Sequence, residues 1–224
     1  MFTGLVQAIG NIVSVHPLQG GVRIEVEACA LAPRVIATGD SIAVNGVCLT
    51  ATRVEALRFA ADVSRETLSK TTGLDSCHAV NLETSLALGD KLGGHLVSGH
   101  VDAVGTVVRC APVAESVELV VLAPPALARY LATKGSVAVD GVSLTINRVA
   151  DGASGRGPSA RPGAGAAAGS EISINLVPHT LGATTLGGLA PGSHVNLEVD
   201  LIARYVARML DVADGGSDAG PEIP

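Results

Sequence analysis

The stretch SIAVNGVCLT, Ser41 to Thr50, is written again as SVAVDGVSLT, Ser136 to Thr145. Seven of the ten positions are identical; the other three, Ile42/Val137, Asn45/Asp140 and Cys48/Ser143, swap residues of similar size or chemistry. Each copy is a short β-branched run ending in Asn-Gly or Asp-Gly, the strongest local signal for a two-residue hairpin. A return strand follows in each, VCLTATRV and VSLTINRV.

The match extends outward at a constant offset of 95 from Thr3 to Val54. TGLVQAIG (3–10) lies over SGHVDAVG (98–105), and VRIEVEA (22–28) over VELVVLA (117–123). Farther on the offset grows, so that ETLSKTTG (66–73) covers HTLGATTL (179–186), and VNLE (80–83) covers VNLE (195–198). The added length lies in DGASGRGPSARPGAGAAAGS, 151–170, a Gly-, Pro- and Ala-rich stretch too poor in large apolar residues to order itself. It reads as a mobile hairpin loop. Two copies predict a pseudo-twofold pair of domains rather than a solenoid, which needs three or more units.

Each copy carries about six short strands, and six antiparallel strands in roughly 95 residues close most economically as a small barrel without exposed edges. APRVIATG (32–39) and PALARYLATKG (125–135) read as brief helices between strands. The tail differs: in DLIARYVARMLDVA, 200–213, apolar residues at 201, 202, 205, 206, 209, 210 and 213 form a helical stripe with Asp200 as N-cap. This helix has no counterpart after the first copy, and its stripe needs an apolar partner, either its own barrels or other subunits. The expected organisation is an all-β chain of two homologous barrels, 1–92 and 93–199, then a helix and frayed tail over 200–224.

Composition narrows the function. The 224 residues are 47% hydrophobic but only 2% aromatic, with no Trp, so the core must be Val, Leu, Ile and Ala. A net charge of −6 without a Lys/Arg cluster argues against a nucleic-acid partner. The start, MFTGLVQAIG, has no basic n-region or apolar h-region, and no run of about 18 apolar residues suggests a membrane span. The four cysteines (Cys29, Cys48, Cys77, Cys110) are widely spaced and read as reduced, small buried hydrophobes in a cytoplasmic protein.

The repeated hairpin gathers small polar groups: Ser41, Asn45, Cys48 and Thr50 in one copy, Ser136, Asp140, Ser143 and Thr145 in the other. Residues two apart on a strand share a face, so these suit a polyol or heterocycle edge, or equally a Thr-rich hairpin held by cross-strand pairs. GGHLVSGHV, 93–101, is more specific: His95 and His100 stand among glycines that allow close backbone approach. In the alignment His100 replaces Leu5 and Lys134 replaces Gly39, so the second copy carries two titratable groups that the first lacks. His100 reads either as a proton shuttle or ligand contact or as a hydrogen-bonded structural residue. Two histidines without a third ligand make a weak metal signal.

On these residues the chain resembles riboflavin synthases of the α-chain type. The matching pieces are MFTG, GDSIAVNGVCLT, ETL…TT, VNLE, GGHLVSGHVD, KGSVAVDGVSLTI, VPHTL…TTLG and VNLEVD, in order from Met1 to about Leu210. Two departures stand out, the long 151–170 segment and Ser64-Arg65 where Met-Pro or Met-Lys is commoner.

The resemblance implies two six-stranded Greek-key barrels, a homotrimer held partly by C-terminal helices, and a dismutation of two 6,7-dimethyl-8-ribityllumazine molecules. One donates a four-carbon unit to the other, without metal or cofactor, where the first barrel of one subunit meets the second barrel of its neighbour. Association with a lumazine synthase is also implied as possible. One lumazine is expected at Gly4, Leu5, Val6, Cys48, Leu49, Thr50, Asp62, Val63, Ser64, Arg65, Glu66 and Thr67. The other is expected at Gly99, His100, Val101, Lys134, Ser143, Leu144, Thr145, Asn175, Leu176, Val177, Pro178, His179 and Thr180, with Phe2 packing against the site. His100 is the expected proton carrier, with Ser41, Cys48 and Thr145 as its hydroxyl and thiol partners. A lumazine- or flavin-binding protein without catalysis is the alternative, but such a protein needs only one working pocket, and both copies keep their motifs.

Overall fold

The computed structural model describes residues 1–28, 31, 36–153 and 169–213. The first barrel is built from β1 (Ala8–Leu18), β2 (Gly21–Glu27), β3 (Ser41–Val44), β4 (Val47–Glu55), β5 (Arg58–Ser64) and β6 (Ala79–Thr84). The second uses β7 (Ala103–Val113), β8 (Ser116–Ala123), β9 (Ser136–Val139), β10 (Val142–Ala153), β11 (Gly169–Leu176) and β12 (His194–Val199). Both close antiparallel in the same Greek-key order, β1-β2-β5-β4-β3-β6 and β7-β8-β11-β10-β9-β12. Even the bulges repeat: register shifts fall between Ile12 and Ser14 and between Val107 and Arg109. A bulge adds local twist and bend, which a six-stranded barrel needs to close.

Alternation fills each barrel. Ile12, Ile24, Ile42, Phe59 and Leu82 are buried in the first, and Val107, Leu119, Ile146, Ile172 and Leu197 in the second. Each fully buried aliphatic side chain contributes roughly 1.5–3 kcal/mol. The Arg53–Glu25 and Arg58–Glu27 pairs on the outer wall are largely solvated, so each contributes about 1 kcal/mol or less. The apolar interior therefore holds the barrels closed.

Two helices escaped the sequence reading, α1 (Arg65–Lys70) and α2 (Pro178–Ala183), in the repeated ETL and HTL segments. Each has six residues, too short to show a hydrophobic period. Ser64 caps α1 by accepting from the Thr67 amide, so the unusual Ser-Arg pair starts this helix. PALARY forms a 3-10 helix, Pro125–Tyr130; of the helix expected over 32–39, the first half lies outside the described residues and residues 36–39 form coil and turn, while Cys29 and the tail beyond Ala213 also lie outside them. The expected 151–170 loop lies outside them except at its base, where Ser170 Oγ donates to Asp151 at 2.6 Å. Cys48 and Cys110 are half-buried free thiols, but Cys77 is exposed, against the expectation of burial.

Helix α3 (Leu201–Ala213) starts where expected, with Asp200 Oδ1 accepting from the Ile202 amide at 2.9 Å. Arg204 binds Asp102, and Arg129 grips Asp211 through two bonds of 2.8 and 2.7 Å. These contacts hold the helix without covering its stripe: Ile202, Tyr205, Val206, Met209 and Leu210 stay exposed.

The barrels meet about a pseudo-twofold axis through the two hairpin turns. Asn45-Gly46 and Asp140-Gly141 take the same left-handed pair of φ values, 46° and 79°. The turns pack so closely that a Cβ on Gly46 would lie 2.6 Å from the Gly141 amide nitrogen. Asn81 donates to the Asp140 carbonyl at 2.9 Å, and Asn196 donates to the Asn45 carbonyl at 3.0 Å. Asn81 also accepts from Thr185, and Asn196 from Thr72, each at 2.8 Å.

Asp140 is the charged letter in this otherwise matched junction. Its carboxyl is buried and accepts one backbone N–H, from Asn196, and burial pushes its pKa from 3.8 to about 7. Between those values the folded protein holds a proton that the unfolded chain has released, so stability falls as pH rises through the window. Asn already fills the equivalent place in the first barrel. Asp140→Asn should match the parent near pH 4 and exceed it above pH 7, by at most roughly 4 kcal/mol. Urea unfolding at pH 5 and pH 8 checks this; the same pH slope in both proteins would refute it.

Candidate functional site

Two arms, residues 2–6 and 97–101, precede the first strand of each barrel and cross to the other barrel. They bridge at the axis, where Phe2 N donates to the Val97 carbonyl at 2.7 Å and Val97 N returns a bond at 3.1 Å. Beyond the bridge the Gly4 carbonyl accepts from Ser143 N and the Gly99 carbonyl from Cys48 N, both at 2.8 Å. Glycine is required here: φ is +73° and +79°, and an added Cβ would stand 2.6 Å from the Ser143 or Cys48 Cβ. Val6 packs on the second core and Val101 on the first.

A buried carboxylate braces each arm. Glu83 on β6 accepts from Thr3 N at 2.7 Å and Gly4 N at 3.0 Å, and also from the Thr3 hydroxyl at 2.7 Å. Glu198 on β12 accepts from Ser98 N at 2.6 Å and Gly99 N at 2.9 Å. Burial raises the pKa of both, while the N–H bonds pull it down.

The crossing regroups the expected site residues. Gly4, Leu5 and Val6 sit beside Ser143 of the second barrel, not beside Cys48; Gly99, His100 and Val101 sit beside Cys48 of the first. Repeat alignment cannot detect this, because equivalent arms make equivalent bonds whether or not they are exchanged. A cavity of about 210 Å³ at the first barrel's mouth collects Cys48, Glu66, Thr67, Gly99, His100 and Val101. His100 and Cys48 both line it. Thr145 is not among its lining: it pairs with Ser136 on the second barrel, while Ser41 pairs with Thr50 on the first. A larger groove of about 1130 Å³ along the barrel junction is lined by none of the expected lumazine contacts, though Asn45 and Asp140 of the repeated hairpin reach it.

Other predicted residues divide by burial. Leu49, Val63, Leu144 and Leu176 point into the barrel cores, so they can offer a ligand only main-chain groups. The Asp62 carboxylate is held by Arg23 through bonds of 2.6 and 2.9 Å, and Arg65 donates to the Gln19 carbonyl. Thr50, Asn175, Val177, Pro178 and His179 are exposed, and Thr180 is half-buried at the start of α2. Phe2 is fully buried beneath Gly99, beside Ala43, Val97, Ala138 and Cys48, so it underlies the site as a floor. Lys134 is exposed at φ +68°, where the first copy uses Gly39.

Comparisons with known proteins agree with this architecture. The lumazine binding domain model matches residues 3–85 and again 98–200. A riboflavin synthase of Mycobacterium bovis is 42% identical over 219 residues, covering 94% of this chain and 98% of that protein. One from Photobacterium phosphoreum is 39% identical over 212 residues, covering 94% and 89%. The chain belongs to the riboflavin synthase family. Its fold also matches that of LumP in complex with riboflavin, with a TM-score of 0.73 at 24% identity, over 89% of this chain and 99% of that one.

For a riboflavin synthase relative, His95 is the residue that the sequence reading quoted without assigning. Its Nδ1 lies 2.6 Å from Ser143 Oγ, and its Nε2 is buried without a hydrogen-bond partner. Burial lowers its pKa, so the ring stays neutral at neutral pH. Which nitrogen carries the proton decides whether Ser143 donates or accepts. The available signal was its position: His95 follows Gly93-Gly94 in the linker and has no counterpart in the first copy. The two mouths are therefore unequal, Cys48 with His100 at one and Ser143 with His95 at the other.

The Lys134 turn is strained in a testable way. A non-glycine residue in the left-handed region costs about 1–2 kcal/mol, and glycine's added unfolded-state freedom returns part of that. Lys134→Gly should raise the free energy of urea unfolding by up to about 1 kcal/mol; a destabilised variant would show that the ammonium makes a compensating contact.

Proposed function

We propose that this protein makes riboflavin by dismutation of two 6,7-dimethyl-8-ribityllumazine molecules, releasing 5-amino-6-ribitylamino-2,4(1H,3H)-pyrimidinedione. The observation that carries this reading is that the equivalent ends of the two barrels carry different polar groups, a Cys48–His100 cavity at one and a Ser143–His95 pair at the other, in a protein whose relatives named riboflavin synthase align over nearly its full length. Two identical molecules must play different parts, and two equivalent barrel ends with different polar groups suit that requirement.

One lumazine loses a proton from its acidic 7-methyl group, whose carbanion delocalises into the ring. The other is attacked at its imine carbon. His100 takes the proton; Ser41, Cys48 and Thr145 supply hydroxyl and thiol groups near the reacting carbons. The Ser143–His95 pair belongs to the second ring's pocket. Because His100 and Thr145 stand on different barrels, both act at one centre when the first mouth of one subunit faces the second mouth of another. The bare stripe of α3 supports a homotrimer. Holding two rings face to face then supplies much of the acceleration. No metal or cofactor enters this scheme. A cytoplasmic location and contact with a lumazine-supplying enzyme complete the reading.

Purified protein incubated with the lumazine alone should yield one riboflavin per two lumazines consumed, followed by flavin absorbance. Binding without product would leave a lumazine- or flavin-binding protein. His100→Ala should lower kcat by roughly 10²-fold or more with substrate still bound; unchanged turnover would remove His100 from proton transfer. Ile202→Glu with Met209→Glu should shift the sedimentation coefficient to that of a monomer and abolish turnover. An active monomer would sink the shared-site arrangement.

A further inference from the structure

The two carboxylates that brace the arms do so in a crossed pattern. Glu83 belongs to the first barrel and holds Thr3 and Gly4, but that arm ends on Ser143 at the second mouth. Glu198 belongs to the second barrel and holds Ser98 and Gly99, whose arm ends on Cys48 at the first mouth. The arms contribute no strand to either barrel. Among the described residues the backbone bonds that leave each arm are the bridge to the other arm, the bonds to these carboxylates, the one each makes across the junction, and His95 N donating to the Thr3 carbonyl at 3.2 Å. Each acid is buried, at 4% and 3% exposure, opposite an alanine of the neighbouring strand, Ala43 or Ala138. A carboxylate presents only acceptors, so both oxygens can meet successive backbone N–H groups; a carboxamide would turn an N–H toward one of them.

We infer that Glu83 and Glu198 are positioning residues that act across the junction, Glu198 shaping the Cys48–His100 cavity at the first mouth and Glu83 the surroundings of the Ser143–His95 pair at the second. His100 follows Gly99 directly, so its place at the first mouth is set by a side chain of the other barrel. Leu5 follows Gly4 in the same way at the second mouth. Each mouth is thus shaped in part by a side chain of the other barrel. The pocket geometry stands without any ligand; its consequence for turnover rests on the function proposed above.

Amide hydrogen exchange on the full-length protein reads the geometry directly. The Cys48 amide bonds the Gly99 carbonyl, and the Ser143 amide bonds the Gly4 carbonyl. In Glu198→Gln, exchange at Cys48 should speed up at least tenfold while Ser143 is unchanged; in Glu83→Gln the pattern should reverse. Alkylation of the half-buried Cys48 thiol should accelerate in Glu198→Gln alone, with Cys110 on β7 as the internal control for general loosening. Equal effects at both mouths, effects confined to each glutamate's own barrel, or no effect would each overturn the inference.

A lumazine with an oxo group in place of the 7-methyl cannot be deprotonated there and serves as an unreactive probe. Each variant should keep one of the two parental sites and bind at the other at least tenfold more weakly, and turnover should fall at least tenfold in both. If exchange shows the crossed pattern but the parent protein binds no lumazine, the functional reading fails and the positioning stands.

Discussion

Everything at the two mouths depends on how the hairpin turns touch at the pseudo-twofold axis. Gly46 and Gly141 meet backbone to backbone, and only glycine at both positions lets the turns approach so closely. Asn81 and Asn196 then reach across, each donating to the opposite turn and accepting from the opposite Thr185 or Thr72. These bonds lie inside the junction, where a missing partner costs about 1–3 kcal/mol, so the relative rotation of the barrels is pinned. The arms can cross only because that rotation places Ser143 within reach of Gly4 and Cys48 within reach of Gly99.

Symmetry of the frame makes its exceptions informative. The backbone bonds of the two arms match in kind and length, yet the arms deliver different side chains: Leu5 to the mouth bearing Ser143, His100 to the mouth bearing Cys48. The linker adds His95 to the serine side alone. A thiol thus shares one mouth with an exposed imidazole, and a hydroxyl bonds a half-buried imidazole at the other. A duplicated scaffold with unequal polar groups suits a reaction in which one molecule gives and its twin receives.

The barrel architecture was legible because its signals are local. Asn-Gly and Asp-Gly mark the hairpins, β-branched alternation marks the strands, and the 95-residue offset carries each assignment from one copy to the other. The stripe and cap of α3 were equally plain. The arm crossing was not, since an exchanged pair of equivalent segments leaves every alignment unchanged. The role of VNLE was hidden for another reason: Glu83 and Glu198 alternate out of phase with the apolar residues and read as solvent-facing, whereas the arms cover them. Leu49, Leu144 and Leu176 sit between outward residues on a strand, where alternation sends their side chains inward and leaves a ligand only their main-chain groups.

Three buried acids on or near the axis show how donor count separates roles. Glu83 has two backbone N–H groups and a hydroxyl, Glu198 has two backbone N–H groups, and Asp140 has one. Each donor favours the charged form against the desolvation that burial imposes. The two glutamates, with a donor on each oxygen, are therefore suited to hold a chain segment through their charge. Asp140, with one donor, is carried to a pKa of about 7 and does no more for the fold than the Asn45 amide does in the other barrel. The acids that repeat as Glu are those bonded to the arms, and the acid that alternates with Asn is the one the arms do not use. The pattern of repetition follows the bonding, which is why the letters common to both copies mark the frame and the changed letters mark where the copies are free to differ.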